Sequence, residues 1–165
     1  MRGEGDISMA LAVGDTVTAF SLPTDGGGTF SAADLKGQIT VLYFYPRDDT
    51  PGCTREAQAF RDAIDAFAAE SARVVGISTD SVARHDKFKA KHSLNFALIS
   101  DPEALLAHLF GVWVEKSMYG RKSMGVERST FLIDAEGVVR RIWRKVKVDG
   151  HAKTVLEAVQ ALRSA

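Results

Sequence analysis

The sequence predicts one α/β domain with a central mixed β-sheet that is flanked by helices on both faces. Segments rich in β-branched and aromatic residues alternate with amphipathic helical segments, and a strand–turn–strand pattern comes late in the chain. The chain has 165 residues, of which 45% are hydrophobic and 25% charged. At about 150 residues per domain, this length predicts one domain. Residues 1–8 are rich in glycine and charge and carry no pattern, so we expect a flexible tail followed by a domain over residues 9–165.

An N-terminal β-hairpin is expected first. Residues 20–23 and 29–30 have strand character and enclose a glycine-rich turn. A phosphate-binding loop is the alternative for residues 26–28, but no Lys-Ser/Thr pair follows and no buried strand precedes them, which favours the hairpin turn. Residues 39–45 are almost continuously apolar and are followed by Pro46, and this pattern is typical of a central strand buried on both faces.

Helices and strands alternate through the rest of the sequence. The first helix follows Thr50, and its apolar stripe at helical spacing consists of Cys53, Ala57, Phe60, Ile64 and Phe67. Downstream we predict, in order, a strand at 74–78, a polar helix at 81–92, a strand at 97–99, a helix at 102–110, a long loop at 111–127, a hairpin of strands at 129–134 and 138–143, and a closing helix at about 149–163. Asp101 is the expected cap of the helix at 102–110, with Pro102 at its first position.

Charge and hydropathy exclude several classes of partner. The 21 Lys and Arg residues balance the 21 Asp and Glu residues, so the basic excess that a nucleic-acid binder normally shows is absent. No stretch approaches the roughly 18 consecutive apolar residues of a membrane span. Glu4 and Asp6 occupy the place where a secretory signal carries positive charge. We therefore expect a cytoplasmic protein, in a compartment where a free thiol persists.

The cysteine and histidine content argues against disulfide and metal sites. A single cysteine excludes an internal disulfide framework and a cysteine-rich zinc module. The four histidines fall on polar or helix-end positions without ligand spacing, at His85, His92, His108 and His151. We therefore expect no metal site.

Cys53 lies where a thiolate is favoured over a thiol. Thr50 suits the N-cap of the helix and Pro51 its first position, which makes Cys53 the third helical residue. The free backbone N–H groups and the positive dipole end of the first turn stabilise a negative charge there. A buried structural cysteine is the alternative, because free cysteine is among the most buried residue types. On position alone, that alternative is the more common one.

Residues 44–56, with the sequence FYPRDDTPGCTRE, resemble the active-site signature of the peroxiredoxins. They are most similar to the bacterioferritin-comigratory-protein (PrxQ) subfamily, in which Pro, Thr and Cys recur as Pro-x-x-x-Thr-x-x-Cys. The likeness covers roughly residues 11–162 and includes the segments 75–80, 110–113 and 128–134. The resemblance implies a thioredoxin-like fold and a thiol peroxidase, with a peroxide as substrate, and we expect no cofactor.

The resemblance also implies roles for individual residues. Cys53 would be the peroxidatic nucleophile, Thr50 would offer its hydroxyl to the peroxide and the thiolate, and Pro46 would shield the site from water. Arg128 would be the active-site arginine, because attack on an O–O bond needs a thiolate and a fixed guanidinium stabilises both it and the developing charge. Without the resemblance, Arg128 would be interpreted as a surface charge at the start of a strand.

Three further residues are candidates for the site. Glu56 lies one turn after Cys53 and has two interpretations of equal weight. It could orient Arg128, or it could interact favourably with the positive end of the helix dipole. Phe44 and Trp113 are expected in the wall of the substrate pocket or in the core.

The sequence departs from the subfamily at the resolving cysteine. Many relatives carry it five residues after the first cysteine, where this chain has Gln58, and others carry it on the next helix, where residues 81–92 contain none. We therefore predict a one-cysteine mechanism recycled by an external thiol, namely thioredoxin, glutaredoxin or glutathione. A monomer is expected, and dimers are known among relatives. The alternative is a non-catalytic redox sensor or holdase that uses Cys53 for mixed disulfides. A thiol–disulfide oxidoreductase is disfavoured because it needs a CxxC pair.

Overall fold

Nine strands and four α-helices, with two short 3-10 helices at Asp25–Gly27 and Ala32–Leu35, make up the computed structural model, which describes residues 10–164. The strands are β1 Ser21–Pro23, β2 Thr29–Ser31, β3 Ile39–Phe44, β4 Ala72–Ser78, β5 Ala97–Ser100, β6 Trp113–Met118, β7 Arg121–Val126, β8 Ser129–Ile133 and β9 Val139–Trp143. The helices are α1 Pro51–Ala69, α2 Val82–His92, α3 Leu105–Leu109 and α4 His151–Ser164. The tail expected at residues 1–8 lies outside the described residues.

A five-stranded mixed sheet with the order β5-β4-β3-β8-β9 forms the centre of the protein. The pairs β3–β4 and β4–β5 are parallel, whereas β3–β8 and β8–β9 are antiparallel. Apolar side chains of α1, α2 and α4 pack on one face of this sheet, and the β1–β2 hairpin and α3 contribute to the core on the other. The predicted α/β class, the mixed sheet flanked by helices and the N-terminal hairpin are confirmed.

Strand β3 is the central strand that the apolar run predicts. All six of its residues are buried, and they alternate between the two cores because successive side chains of a strand point to opposite faces. Val41 and Tyr43 belong to the cluster shared with α1, whereas Leu42 and Phe44 belong to the cluster on the other face.

Helix α1 begins as its sequence predicts. Thr50 is the N-cap with an extended backbone and Pro51 is the first helical residue, a position where the missing N–H of proline has no cost. The Thr50 hydroxyl does not cap the helix; it donates to the Arg47 carbonyl at 3.0 Å instead. Cys53 is therefore the third helical residue, and it starts the buried face of the helix.

The long loop predicted at residues 111–127 is wrong, because strands β6 and β7 form a two-stranded hairpin there. Tyr119 and Gly120 connect the strands with φ of 54° and 78°, as a two-residue turn of positive φ requires. Most side chains of the hairpin are exposed. It therefore lacks the apolar alternation by which a half-buried strand is predicted.

The helix predicted at 102–110 is also shorter than expected, since α3 begins only at Leu105. Ala104 has a left-handed backbone with φ of 58°, which interrupts the helical conformation after Pro102. Asp101 nevertheless caps the helix: its carboxylate accepts from the N–H groups of Leu105, Leu106 and Ala107 at 2.8 to 3.0 Å. The capping residue was predicted correctly, but Asp101 reaches the helix across the intervening residues 102–104 instead of directly preceding its first residue.

None of the helices within residues 10–164 combines the length and the apolar character needed to cross a membrane.

Replacing Asp101 by alanine is expected to lower the free energy of unfolding by about 2 kcal/mol, because three N–H groups of α3 lose their acceptor. Asp101→Asn keeps one acceptor oxygen and should cost less. Urea unfolding of both variants measures the difference, with exposed Asp65→Ala in α1 as the control. A loss for D101A no larger than that for D65A would contradict the capping role.

Candidate active site

The sulfur of Cys53 lies in the first turn of α1, beneath the surface and against an arginine. Cys53 is only 1% exposed, and Arg128 Nη2 lies 3.4 Å from its Sγ. Arg128 immediately precedes β8, and the antiparallel pairing of Phe44 with Ser129 brings the start of β8 beside the end of β3. Because the chain passes from β3 through a short loop into α1, this register places the guanidinium beside Cys53.

Glu56 holds the same guanidinium from its other side. Arg128 Nη1 donates to Glu56 Oε1 at 2.7 Å, with the Glu56 side chain 2% exposed. Of its two interpretations, the contact with Arg128 is the one observed. Burial lowers the pKa of Arg128, but the charges of Glu56 and Cys53 outweigh it and the pKa is raised. The arginine therefore stays a cation.

Burial raises the pKa of Glu56 to about 7, although the charge and the hydrogen bond of Arg128 lower it. Glu56 Oε2 has no hydrogen-bond partner within residues 10–164, and an unpaired buried oxygen disfavours the charged form.

The hydroxyl of Tyr43 is likewise buried without a partner in that part of the chain. Burial, followed by the charges of Glu56 and Cys53, raises the pKa of Tyr43 well above its usual value. The phenol therefore stays neutral.

Thr50 and Pro46 lie in the loop that joins β3 to α1, and both are half-buried. The hydrogen bond from the Thr50 hydroxyl to the Arg47 carbonyl uses its proton. The lone pairs of this oxygen remain available to a donor, such as the O–H of a hydroperoxide. Pro46 carries no N–H, so the loop presents an apolar ring at this point.

A cavity of about 380 Å³ lies beside this loop, between Pro46 and the β6–β7 hairpin. Its lining combines apolar side chains, among them Trp113 and Val126, with the cations Arg47 and Lys116. Trp113 thus lies in the wall of this cavity. The structure does not bring Phe44 to it.

Phe44 lies instead in the core on the far face of the sheet. It is 1% exposed, and its ring centroid lies 5.2 Å from that of Phe110 and 5.7 Å from that of Phe131. The alternation of β3 explains this placement, because the neighbours Tyr43 and Tyr45 pack in the cluster that contains Cys53.

The expectation that all four histidines occupy polar or helix-end positions is wrong for His85, which is fully buried. It lies on the same face of α2 as buried Phe88, three residues later, and this spacing was the signal that could have identified His85 as buried.

His151 is buried as well and contacts the Thr130 hydroxyl at 2.7 Å. Burial and then the charge of Arg128 lower the pKa of His151 to about 4, so it is neutral.

His85 also meets two carboxylates, which the sequence spacing did not predict. Oxygen and nitrogen atoms of Asp48, Asp80 and His85 lie within 4.8 Å of one another. Each of these atoms already has a hydrogen-bond partner in Tyr45, Ser78, Arg84 or another member of the group. The cluster is therefore complete as a hydrogen-bond network.

Glu56→Gln is expected to remove a pH dependence of stability. Because the pKa of Glu56 rises from 4.5 to about 7 on folding, the native protein holds a proton that the unfolded chain releases in this window. The contribution of Glu56 to the stability of the native protein is therefore complete below pH 4.5 and is lost as the pH rises to about 7. The parent should lose roughly 3 kcal/mol of its free energy of unfolding between these two pH values. E56Q has no proton to lose there, so its stability should rise by that amount relative to the parent. Urea unfolding under reducing conditions measures it, with exposed Glu157→Gln as the control. Parallel profiles of E56Q and the parent would contradict it.

Comparison with known proteins gives one consistent result. Residues 13–142 match the AhpC/TSA family. Peroxiredoxin Bcp of Bacillus subtilis is 48% identical over 155 residues, which cover 94% of this chain and 97% of that protein. The crystal structure of a cysteine-to-serine mutant of Xylella fastidiosa PrxQ has a TM-score of 0.88 at 40% identity and covers 93% of this chain and 98% of its own.

A second structure, of the Xanthomonas campestris bacterioferritin comigratory protein, has a TM-score of 0.84 at 44% identity, covering 87% of this chain and 92% of that one. The resemblance seen in the sequence and the thioredoxin-like fold that it implied are thereby confirmed. The chain belongs to the AhpC/TSA family and, within it, to the Bcp/PrxQ peroxiredoxins, which are peroxidase enzymes.

Proposed function

We propose that this peroxiredoxin reduces hydrogen peroxide and organic hydroperoxides through Cys53 and is regenerated by an external thiol. The 3.4 Å contact between Arg128 Nη2 and Cys53 Sγ, in the first turn of α1, supports the proposal most directly. A guanidinium and free helix N–H groups at a sulfur stabilise the thiolate.

In the first step, the Cys53 thiolate attacks the terminal oxygen of the hydroperoxide. A sulfur–oxygen bond forms as the O–O bond breaks, so the sulfur is oxidised to a sulfenic acid and the peroxide is reduced. The leaving alkoxide or hydroxide takes a proton and departs as an alcohol or water. Arg128 stabilises the charge that develops on this oxygen, because its donors are held in a fixed fork by the ion pair with Glu56.

The other candidate residues bind and shield the substrate. The lone pairs of the Thr50 hydroxyl accept the peroxide O–H, since its own proton is used by Arg47. Pro46 keeps water from the sulfur, which lowers the local dielectric and strengthens the interactions of the thiolate. Trp113 forms part of the apolar wall by which organic hydroperoxides approach. Phe44 supports the site from within the core, in keeping with its burial.

In the second step, an external thiol condenses with the sulfenic acid, releasing water and leaving a mixed disulfide on Cys53. A second thiol then cleaves this disulfide and restores the thiolate. Cys53 is the only cysteine of the chain, so no internal disulfide can take over this role. Thioredoxin, glutaredoxin and glutathione are the candidate reductants. Until one of them arrives, excess peroxide can drive the sulfenic acid to sulfinic acid.

We further infer that residues 9–165 act as one domain, preceded by a tail at residues 1–8. This domain works as a monomer in the cytoplasm, where reduced thiols are supplied.

One equivalent of hydrogen peroxide, added without thiol, is expected to convert Cys53 to a sulfenic acid. Intact-mass measurement and trapping with dimedone detect it. Added glutathione should then give a mixed disulfide, and excess thiol should restore turnover of many peroxide equivalents per enzyme. Cys53→Ser should abolish the sulfenic acid, the mixed disulfide and the turnover of peroxide. A single turnover that no thiol system extends would instead support the sensor or holdase, and absence of sulfenic acid would contradict both.

Arg128→Ala is expected to slow the reaction of Cys53 with peroxide by about 100-fold, the usual cost of removing a preorganised donor. Stopped-flow tryptophan fluorescence under single-turnover conditions measures this rate. Arg128→Lys keeps the positive charge but loses the planar pair of donors, so its rate should lie between the rates of the parent and R128A. Arg55→Ala is the matched control, because Arg55 is an exposed arginine of α1 that pairs with Asp149. Equal rates for R128A and R55A would show that Arg128 does not act in the reaction.

A further inference from the structure

We propose that His85 is a positioning residue of the peroxidase reaction, which as a buried imidazolium clamps the loop carrying Pro46 and Thr50 and releases it when its proton is lost. This role rests on the proposed function, since it acts through the groups that surround Cys53.

Both ring nitrogens of His85 face oxygen atoms. Nδ1 lies 2.6 Å from Asp48 Oδ2, and Nε2 lies 2.9 Å from the carbonyl oxygen of Ile99. A carbonyl oxygen only accepts, and so does an ionised carboxylate. Asp48 Oδ1 already accepts from the Tyr45 hydroxyl at 2.6 Å. A neutral imidazole has a single N–H and would leave one nitrogen lone pair against an oxygen. The imidazolium satisfies both contacts.

These bonds hold the active-site loop at its midpoint. Asp48 lies two residues after Pro46 and two before Thr50, and it is 3% exposed. Its carboxylate is held by His85 of α2, and its backbone N–H donates to Asp80 Oδ2 at 2.7 Å. The position of Asp48 therefore sets the positions of the two residues that enclose the substrate.

The charges around His85 favour the imidazolium. The groups that face it are Asp48 of the loop, Tyr45 at the end of β3 and Asp80 after β4. Arg84 of α2 is close but is paired with Asp80 at 3.0 Å. Other charged groups packed on α2 have partners elsewhere: Asp49 pairs with Lys91 and His92, Asp25 pairs with Lys89, and Asp86 accepts from the Gly26 N–H. Arg61 of α1 pairs with Asp62 and donates to the His92 carbonyl.

Burial on its own lowers the pKa of His85, but the hydrogen bond and charge of Asp48, the Ile99 carbonyl and the charge of Asp80 outweigh it, and the pKa is raised. A raised pKa means that the clamp is complete below the ordinary histidine value of about 6.5 and is lost as the pH rises through the higher native value. The wild-type reaction rate should therefore have an alkaline limb that reports the proton of His85.

The decisive measurement is the second-order rate of Cys53 with hydrogen peroxide against pH, in single turnover, so that no recycling thiol is involved. His85→Ala should lower this rate at neutral pH on the order of 10-fold, because the loop is no longer held in its reactive geometry. His85→Asn retains an N–H that can reach Asp48 and should recover part of the rate without the alkaline limb. Asp48→Asn should move the limb to lower pH.

Two residues give matched controls. Asp49→Asn changes the next residue of the same loop, and His92→Asn changes the other histidine of α2 near this loop. The hydrogen bond between Asp49 and His92 is exposed, unlike the buried one between Asp48 and His85. Both variants should keep the wild-type rate and profile. If H85N and D48N also keep the wild-type profile, the positioning role is wrong, whereas a wild-type protein that does not react with peroxide at all overturns the proposed function instead.

A second readout needs no activity. In the Cys53→Ser protein, ¹⁵N NMR of the His85 ring should show both nitrogens protonated at neutral pH, with a titration above about 6.5, the usual histidine value. A ring that is neutral at pH 7 would overturn the proposal even if H85A folds poorly.

Discussion

The contact between a buried sulfur and a partly buried guanidinium is the interaction on which the rest of this structure depends. Cys53 is almost fully buried, and the thiolate form of such a group is costly unless positive charge and hydrogen-bond donors compensate it. The first turn of α1 supplies free N–H groups and Arg128 supplies a cation at 3.4 Å. Arg128 is itself partly buried, and Glu56 compensates it in turn. The site is thus a chain of three groups, the Cys53 sulfur, the Arg128 guanidinium and the Glu56 carboxyl, in which each contact offsets part of the desolvation of its neighbour.

The central sheet brings these three groups together. Strand β3 leads directly into the loop and helix that carry Cys53, and β8 is its antiparallel neighbour. Arg128 precedes β8, so the register of one strand pair sets the distance between guanidinium and sulfur. Glu56 follows Cys53 by three residues, which on a helix places both side chains on one face. On the other side of the loop, Asp48 and His85 tie it to α2 and β5. The loop is held between the two networks.

The sequence predicted most of the fold because most elements carry a strong local pattern. The continuous apolar run at β3 and the helical stripe of α1 are examples, and both are confirmed. The failures have specific causes. The β6–β7 hairpin is largely exposed and therefore has no apolar alternation. Helix α3 starts late because Ala104 adopts a left-handed conformation that alanine does not signal. Of the two placements expected for Phe44, the core is the one observed, because β3 alternates between two cores.

By itself, the sequence determined that a lone cysteine lies in the first turn of a helix that follows a buried strand, and that no second cysteine can pair with it. These properties depend on neighbouring residues and on composition. Only the tertiary structure decided that Arg128 and Glu56 meet beside Cys53 and that His85 reaches Asp48. Arg128 and Cys53 lie 75 positions apart, and His85 and Asp48 lie 37 apart. Contacts over such separations follow from strand register and helix packing, which local periodicity does not encode.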